Sequence, residues 1–387
     1  MKVLFIEWES FGNGDIKDAF TEEGHSVICF PFTLEGKLRH DPEVEAQLSF
    51  ALHREGPDIV FSFNYFPVIS KVCQKEGIRY ISWVYDSPCV LLYSYTTLNS
   101  CNCIYVFDRE LYQEFHDGGI QTVHYMPLAA NTRRLDEKNA ALGDSFLYDV
   151  SFVGSLYVER WNYFDKMAAG LPDYARGYLD ALMIAQSKVQ GVNFIQDLLN
   201  PVMGELYQAF PMETNEDGIE PKEYFYAQYV INRKLTAWER IDLLATAARN
   251  HRVDLFTYDQ SFQAPNLQNH GKADYREEMP QIFRQSKINL NISLRSIKSG
   301  IPLRAFDIMG SGGFLLSNYQ ADFLELFVPG EDFEVYGSKE EYLQKIDYYL
   351  RHEEERKAIA RNGHDKVAAG HTFRHRVREM MDLLGDR

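Results

Sequence analysis

The sequence predicts an α/β protein of two Rossmann-like, doubly wound domains with a cleft between them. Three observations predict it. The chain has 387 residues, which at roughly 100 to 200 residues per domain divides into two cores. Short β-rich apolar runs alternate with helix-like spacers through the first third of the chain. The same alternation starts again at Asp149 and resumes after a long helical stretch.

In the first half, the predicted strands are Lys2 to Glu7, His25 to Phe32, Asp58 to Asn64, Arg79 to Asp86, Cys103 to Asp108 and Val123 to Leu128. Runs such as Ile59-Val60-Phe61 are apolar on both faces, as a parallel sheet covered by helices requires. Right-handed crossovers then give an open doubly wound domain over 1–145, ending in the polar stretch Asn131 to Asp144. A second domain, 146–370, opens on the strand Asp149 to Ser155 and continues at Val253 to Tyr258, Asn289 to Leu294 and Gly313 to Ser317. Helices are expected from Leu303 and near 338–364. Between them, about 165–250 reads as a helical insertion, punctuated by Pro172, Pro201, Pro211 and Pro221, with one exposed acidic loop at Glu213 to Glu220. Acceptor recognition or oligomerisation is its expected role. The last helix, His371 to Leu384, sets Val377, Met380, Met381 and Leu384 on one face, so it should dock on one of the domains.

Charge excludes several partners. A formal net charge of −16 leaves no general phosphate-neutralising surface, so nucleic acid is not an expected partner. No apolar run approaches the roughly 18 residues of a spanning helix, and Val3 to Ile6 is too short for a signal-peptide core. The expectation is a cytoplasmic protein with no integral membrane anchor. Five cysteines with no paired C-x-x-C spacing fit neither zinc nor a disulfide framework and are expected to be free, buried thiols. The sequence sets no oligomeric state.

The chemistry-bearing segment runs from Ser296 to Gly313. Ser299 and Gly300, with Ile301 and Pro302, form a tight turn into a helix whose first turn carries Arg304. Open helix N–H groups and a guanidinium fork suit a diphosphate. Asp307, one turn deeper, has the acceptor oxygens to take both hydroxyls of a ribose, although the same spacing also fits a surface i, i+3 pair with Arg304. Gly154 and Arg160 form a second candidate phosphate contact after the first strand of this domain. His270 and Gly271 lie in a loop whose backbone could read a base edge. In the first domain, Gly12 and Gly14 join the first strand to its helix, but Lys17 occupies the third glycine position of a G-x-G-x-x-G, so dinucleotide binding is not expected. Asp86 ends the fourth strand, where a carboxylate can deprotonate a hydroxyl or simply cap the next segment. Walker A, H-E-x-x-H, G-x-S-x-G and Asp-x-Asp patterns are all absent from the sequence. Without clustered carboxylates, arginine and helix dipole must neutralise a diphosphate leaving group, so no metal and no cofactor are expected.

Phe152 to Ser155, Asn269 to Gly271, Ser286 to Ile292, Ser299 to Asp307 and Gly312 to Leu316 together resemble the CgeB-type spore-maturation glycosyltransferases of the GT-B fold. The likeness covers most of the second domain and extends through His371 to Arg376, and it is looser in the first, through Asp86 to Pro88 and Met126 to Ala129. It implies that the second domain binds a nucleotide-sugar donor, UDP-linked, with Asp307 on the ribose. It also implies that the final helix, 371–387, packs back on the first domain, where the acceptor sits; the acceptor class does not follow from the resemblance, and a cell-surface glycan or protein is the one expected. Two departures concern the donor: the ribose acid is Asp rather than Glu, and Ser299 stands eight residues earlier, where related enzymes often carry a second Glu. A nucleotide-sugar epimerase of the same fold and a catalytically silent glycan-binding or scaffold protein are the two competing readings.

Overall fold

A computed structural model describes residues 1–35, 37–143, 145–158, 162–212 and 217–385. The chain divides into two compact units. Unit 1 comprises Met1–Ala129, Glu213–Pro221 and His371–Arg387; unit 2 comprises Ala130–Met212 and Lys222–Gly370.

Unit 1 holds six parallel strands: β1 (Lys2–Glu7), β2 (Ser26–Pro31), β3 (Ile59–Phe63), β4 (Arg79–Val84), β5 (Asn102–Val106) and β6 (Val123–Tyr125). They lie in the order β2-β1-β3-β4-β5-β6. All five residues of β3 and of β5 are buried, which is what central strands covered by helices on both faces demand. Asp41 caps the helix Pro42–Glu55, accepting from the N–H groups of Glu43 at 3.0 Å and Val44 at 3.3 Å. Such a cap contributes about 1 kcal/mol.

Unit 2 holds β7 (Tyr148–Val153), β8 (Val253–Phe256), β9 (Leu267–Asn269), β10 (Ser286–Asn291), β11 (Leu315–Asn318) and β12 (Glu334–Tyr336). Their order is β12-β11-β10-β7-β8-β9, again all parallel. Sequence direction reverses between β7 and β10. Ligands of open α/β sheets bind at the carboxyl ends of strands at such a switch point.

Three features depart from the sequence reading. The division falls at Ala129/Ala130 rather than at 145, because Ala130 and Leu135 pack against Gly310, where a Cβ would come within 2.9 Å of Ala130 and 3.0 Å of Leu135. The short edge strands β9 and β12 were not expected. The acidic loop is not simply exposed. Its described part joins unit 1, where Asp217 takes Arg39 at 3.2 Å and the Ser94 hydroxyl at 2.8 Å, and Ile219 N–H donates to the Tyr93 carbonyl at 3.1 Å.

The helical region has its own core, built from Leu179, Met183, Leu199, Leu206, Val230 and Leu235. It also braces the loop that follows β10. A π-helical turn at Tyr226–Ile231 receives the Ser296 hydroxyl on the Gln228 carbonyl at 2.7 Å. Glu239, on the next helix (Asn232–Ala247), accepts from Arg295 Nε at 2.8 and 3.0 Å. The insertion therefore holds the approach to the helix Leu303–Gly310. At the far end of that helix Gly312 adopts φ +71°, and Gly313 leaves room for the Phe283 carbonyl, 2.7 Å from where a Cβ would stand.

Candidate functional site

At the switch point of unit 2, the turn through Ser299 and Gly300 is buried, and the Ser299 carbonyl accepts from Asp322 N–H at 3.0 Å. The helix Leu303–Gly310 then starts at Pro302 with no side-chain cap. Its first N–H groups have no intrahelical acceptor. Arg304, half-buried in that first turn, donates through Nη1 to the carbonyl of Val153 at the end of β7, and among the described residues its Nε has no hydrogen bond. Its guanidinium stands 5.7 Å from the Phe283 ring.

A second guanidinium meets the same loop. Arg240 is buried and donates to the Ile292 carbonyl from Nε at 3.0 Å and to the Ser155 carbonyl from Nη1 at 2.5 Å. It lies 4.7 Å from the Tyr157 ring, with Arg233 on that ring at 4.8 Å. Among the described residues neither Arg240 nor Arg304 forms an ion pair with a carboxylate; backbone carbonyls take their hydrogen bonds. Burial lowers the pKa of both, opposed at Arg304 by Asp307 and reinforced at Arg240 by the like charge of Arg304. Guanidinium nevertheless stays protonated. Two desolvated cations that form no contact ion pair among the described residues make this crevice favourable for an anion.

Asp307 is 3% exposed and accepts from the Tyr275 hydroxyl at 3.2 Å. Arg304 and Asp307 thus do not form the surface pair that their spacing allowed; each is bonded elsewhere. Gly154, next to Val153, donates its N–H to the Phe256 carbonyl at 3.0 Å. The His270 ring is fixed on β8, with Nε2 2.7 Å from the buried Asp254 carboxylate and its face stacked 4.6 Å from Phe256. Its N–H donates to Leu255, and that of Gly271 to the Asn269 side chain at 3.0 Å, so both backbone donors of this loop are engaged within the protein. Arg160 lies outside the described residues.

In unit 1, the corresponding strand ends are lined by aromatic rings. Gly12 packs on them: a Cβ there would lie 3.0 Å from Phe63 and 3.2 Å from the Tyr85 hydroxyl. Gly14 sits in the first turn of the helix Asn13–Glu22, which has no side-chain cap. Trp8 donates its indole N–H to the Phe63 carbonyl at 2.9 Å, and the Phe63 and Tyr85 rings lie 4.3 Å apart. Asp86 is held by Asn64, whose amide donates to Oδ2 at 2.7 Å while its carbonyl oxygen accepts from the N–H groups of Tyr85 at 2.9 Å and Asp86 at 3.2 Å. Asn64 itself has φ +58°, a left-handed conformation that Asn tolerates. The Asp86 side chain reaches the surface, yet the protein packed around it raises its pKa, with the Asn64 amide opposing.

The cysteines are all free, Cys29 exposed and the other four buried. Among the described residues, no helix is long and apolar enough to cross a membrane, and no group of three His, Cys, Asp or Glu side chains is placed to hold a metal ion.

Residues 235–382 match a family described as glycosyl transferase-like. No curated protein matches the chain. Solved structures align over nearly the whole chain at low identity. A sucrose-phosphate synthase from Thermosynechococcus elongatus has a TM-score of 0.58 at 9% identity, covering 100% of this chain and 99% of that one. Alr3699/HepE of Anabaena, in complex with UDP-glucose, has a TM-score of 0.55 at 10% identity, covering 100% of both chains. A UDP-forming α,α-trehalose-phosphate synthase from Burkholderia xenovorans has a TM-score of 0.51 at 12% identity, covering 98% of this chain and 97% of that one. The fold is GT-B. Within this GT-B chain, the glycosyl transferase-like match spans Arg240, Arg304 and Asp307.

Sequence reasoning missed Arg240 and Asn64. Arg240 is far in sequence from the loop it holds, and no local pattern links them. Asn64 carried a signal, since an Asn directly after a buried strand is a candidate left-handed residue.

Proposed function

We propose that the protein is a metal-independent glycosyltransferase that moves a sugar from a nucleoside diphosphate sugar, UDP-linked, to a cell-surface glycan or protein acceptor. The observation that carries this reading is the pair Arg240 and Arg304, without carboxylate partners, at the switch point of unit 2. A diphosphate bound there receives the first-turn N–H groups of the helix Leu303–Gly310 and the charge of both guanidiniums. As the glycosidic bond to the sugar breaks, negative charge grows on the departing diphosphate, and fixed cations lower that barrier most. Asp307, together with Tyr275, is assigned to the ribose, and Ser299 and Gly300 to the sugar-phosphate side. Asp86 is assigned the role of general base on the acceptor hydroxyl if configuration is inverted; if it is retained, the leaving diphosphate can take the proton instead.

The likeness to Alr3699/HepE, itself bound to UDP-glucose, and to a UDP-forming synthase supports a UDP-linked donor. The test is a thermal-shift screen across nucleoside diphosphate sugars, followed by product analysis with and without acceptor. A UDP-sugar at about 100 times its dissociation constant should stabilise the protein by roughly 2.7 kcal/mol. An altered nucleotide sugar formed with no acceptor present would convert the assignment to an epimerase, and no stabilisation by any nucleoside diphosphate would remove it.

A further inference from the structure

Unit 2 carries a cavity of about 530 Å³ at the opposite end of its sheet from the switch point. Its walls include Phe146 before β7, Ser286 and Lys287 at the start of β10, and Phe314 before β11, so it lies at the amino ends of the strands. The volume falls within the usual range of small-molecule sites.

The charge in its wall runs against that of the protein. In a chain of net charge −16, Arg284, Lys287, Arg356, Lys357 and Arg361 line this one cavity, and among the described residues the carboxylates in its wall are those of Asp136 and Glu354. Part of this charge is already balanced, since Lys287 pairs with Asp149 at 2.6 Å and Lys357 with Glu353 at 2.6 Å. Two guanidiniums form no ion pair among the described residues. Arg356 is 1% exposed, donates through Nη1 to the Tyr349 carbonyl and stands 5.1 Å from the Phe146 ring, while its buried Nη2 has no hydrogen bond among the described residues. Arg361, exposed five positions further along the helix Glu353–Gly370, makes no side-chain ion pair or hydrogen bond among the described residues. An inward-facing guanidinium with one unbonded nitrogen beside an aromatic surface calls for an anionic group attached to an apolar or sugar-like body.

We infer that this cavity is a second ligand site, separate from the proposed donor site, for a small phosphate-bearing molecule. Its phosphate lies between Arg356 and Arg361, and the body attached to it covers Phe146 and Phe314. Guanidinium forks favour phosphate oxygens, two at a time, with charge-assisted hydrogen bonds.

The test is calorimetric titration of the full chain with glucose 6-phosphate and with inorganic pyrophosphate, each with and without UDP. Arg361→Glu reverses a charge at the rim, and Arg351→Glu makes the same change on an exposed arginine that does not line the cavity. The expected result is that Arg361→Glu weakens binding of both probes at least about tenfold, while Arg351→Glu stays within about twofold of wild type. This difference should persist when UDP is present. Arg356→Lys, where it folds, should weaken binding in the same direction. Equal affinities for Arg361→Glu and Arg351→Glu, or no binding of either probe to the wild type at millimolar concentration, would overturn the inference. Complete displacement of both probes by UDP would assign them to the donor site and overturn it as well. None of these outcomes depends on glycosyl transfer.

Discussion

The two sheets are alike in strand number and direction, but the loops at their carboxyl ends are chemically different. In unit 2 the loops after β7 and β10 meet the buried guanidinium of Arg240, the half-buried one of Arg304 and a helix start without a side-chain cap. In unit 1 the loops after β1, β3 and β4 meet the rings of Trp8, Phe63 and Tyr85, with the single carboxylate Asp86 oriented by Asn64. A shared scaffold thus carries guanidiniums at one set of strand ends and aromatic rings with a carboxylate at the other. The difference arises in a few loop residues, while the strands remain interchangeable in kind.

If that contrast reflects a division of labour, substitutions in unit 1 should change turnover and those in unit 2 should change binding. The largest effect is expected at Asp86. In an inverting enzyme, Asp86→Asn should lower kcat by about 10² to 10⁴-fold while donor affinity by calorimetry stays near wild type. An inverted product, identified by NMR, from a mutant as fast as wild type would remove Asp86 from the chemistry.

Next comes Arg304→Ala, which should weaken UDP binding by about 10 to 100-fold and leave uridine binding nearly unchanged, because the lost hydrogen bonds are charge-assisted. Equal weakening of UDP and uridine would erase the charge contrast between the units. A smaller change, about tenfold in donor affinity, is expected of Asp307→Asn, which swaps one acceptor oxygen for a donor with little change in volume. Its Tyr275 contact makes circular dichroism and thermal melting the necessary companions to that titration.

The pH dependence sharpens the same comparison. A base works deprotonated, and the pKa of Asp86 is raised above the ordinary carboxylate value. In the inverting case kcat should therefore rise with pH along a limb centred above about 3.9. Asn64→Ala removes the hydrogen bond that opposes the shift, so the limb should move to higher pH, with the affinity for UDP unchanged. A limb that stays in place would show that Asn64 does not tune the carboxylate. The smallest expected effect is that of EDTA, which should leave turnover unchanged; manganese-dependent recovery after chelation would shift the neutralising role from arginine to a metal.

Much of the fold was legible because buried parallel strands are short apolar runs: β1 matches its predicted span, and β3, β4, β7, β8 and β10 lie within a few residues of theirs. The edge strands Leu267–Asn269 and Glu334–Tyr336 were not, since three residues pairing on one side need no apolar pattern. The grouping of Ser299, Arg304 and Asp307 was legible because they share one segment. Arg240 reaches the Ser155 carbonyl from 85 positions away, and Asp217 reaches Arg39 from 178. Spacing rules describe neighbours on one element, whereas such pairs exist only once the chain has folded.

The helix Leu303–Gly310 is short, about 12 Å at 1.5 Å per residue, and its two ends face different surroundings. Arg304 stands in its first turn, while Ser311 and Gly312, directly after its last, form part of the wall of the cationic cavity. A rod this short cannot shift at one end and stay still at the other when both are packed. Occupancy of the two ends would then be thermodynamically linked, and linkage between binding equilibria is symmetric. Whatever factor a phosphate-bearing ligand in the cavity imposes on the dissociation constant of UDP, UDP must impose in return on that ligand.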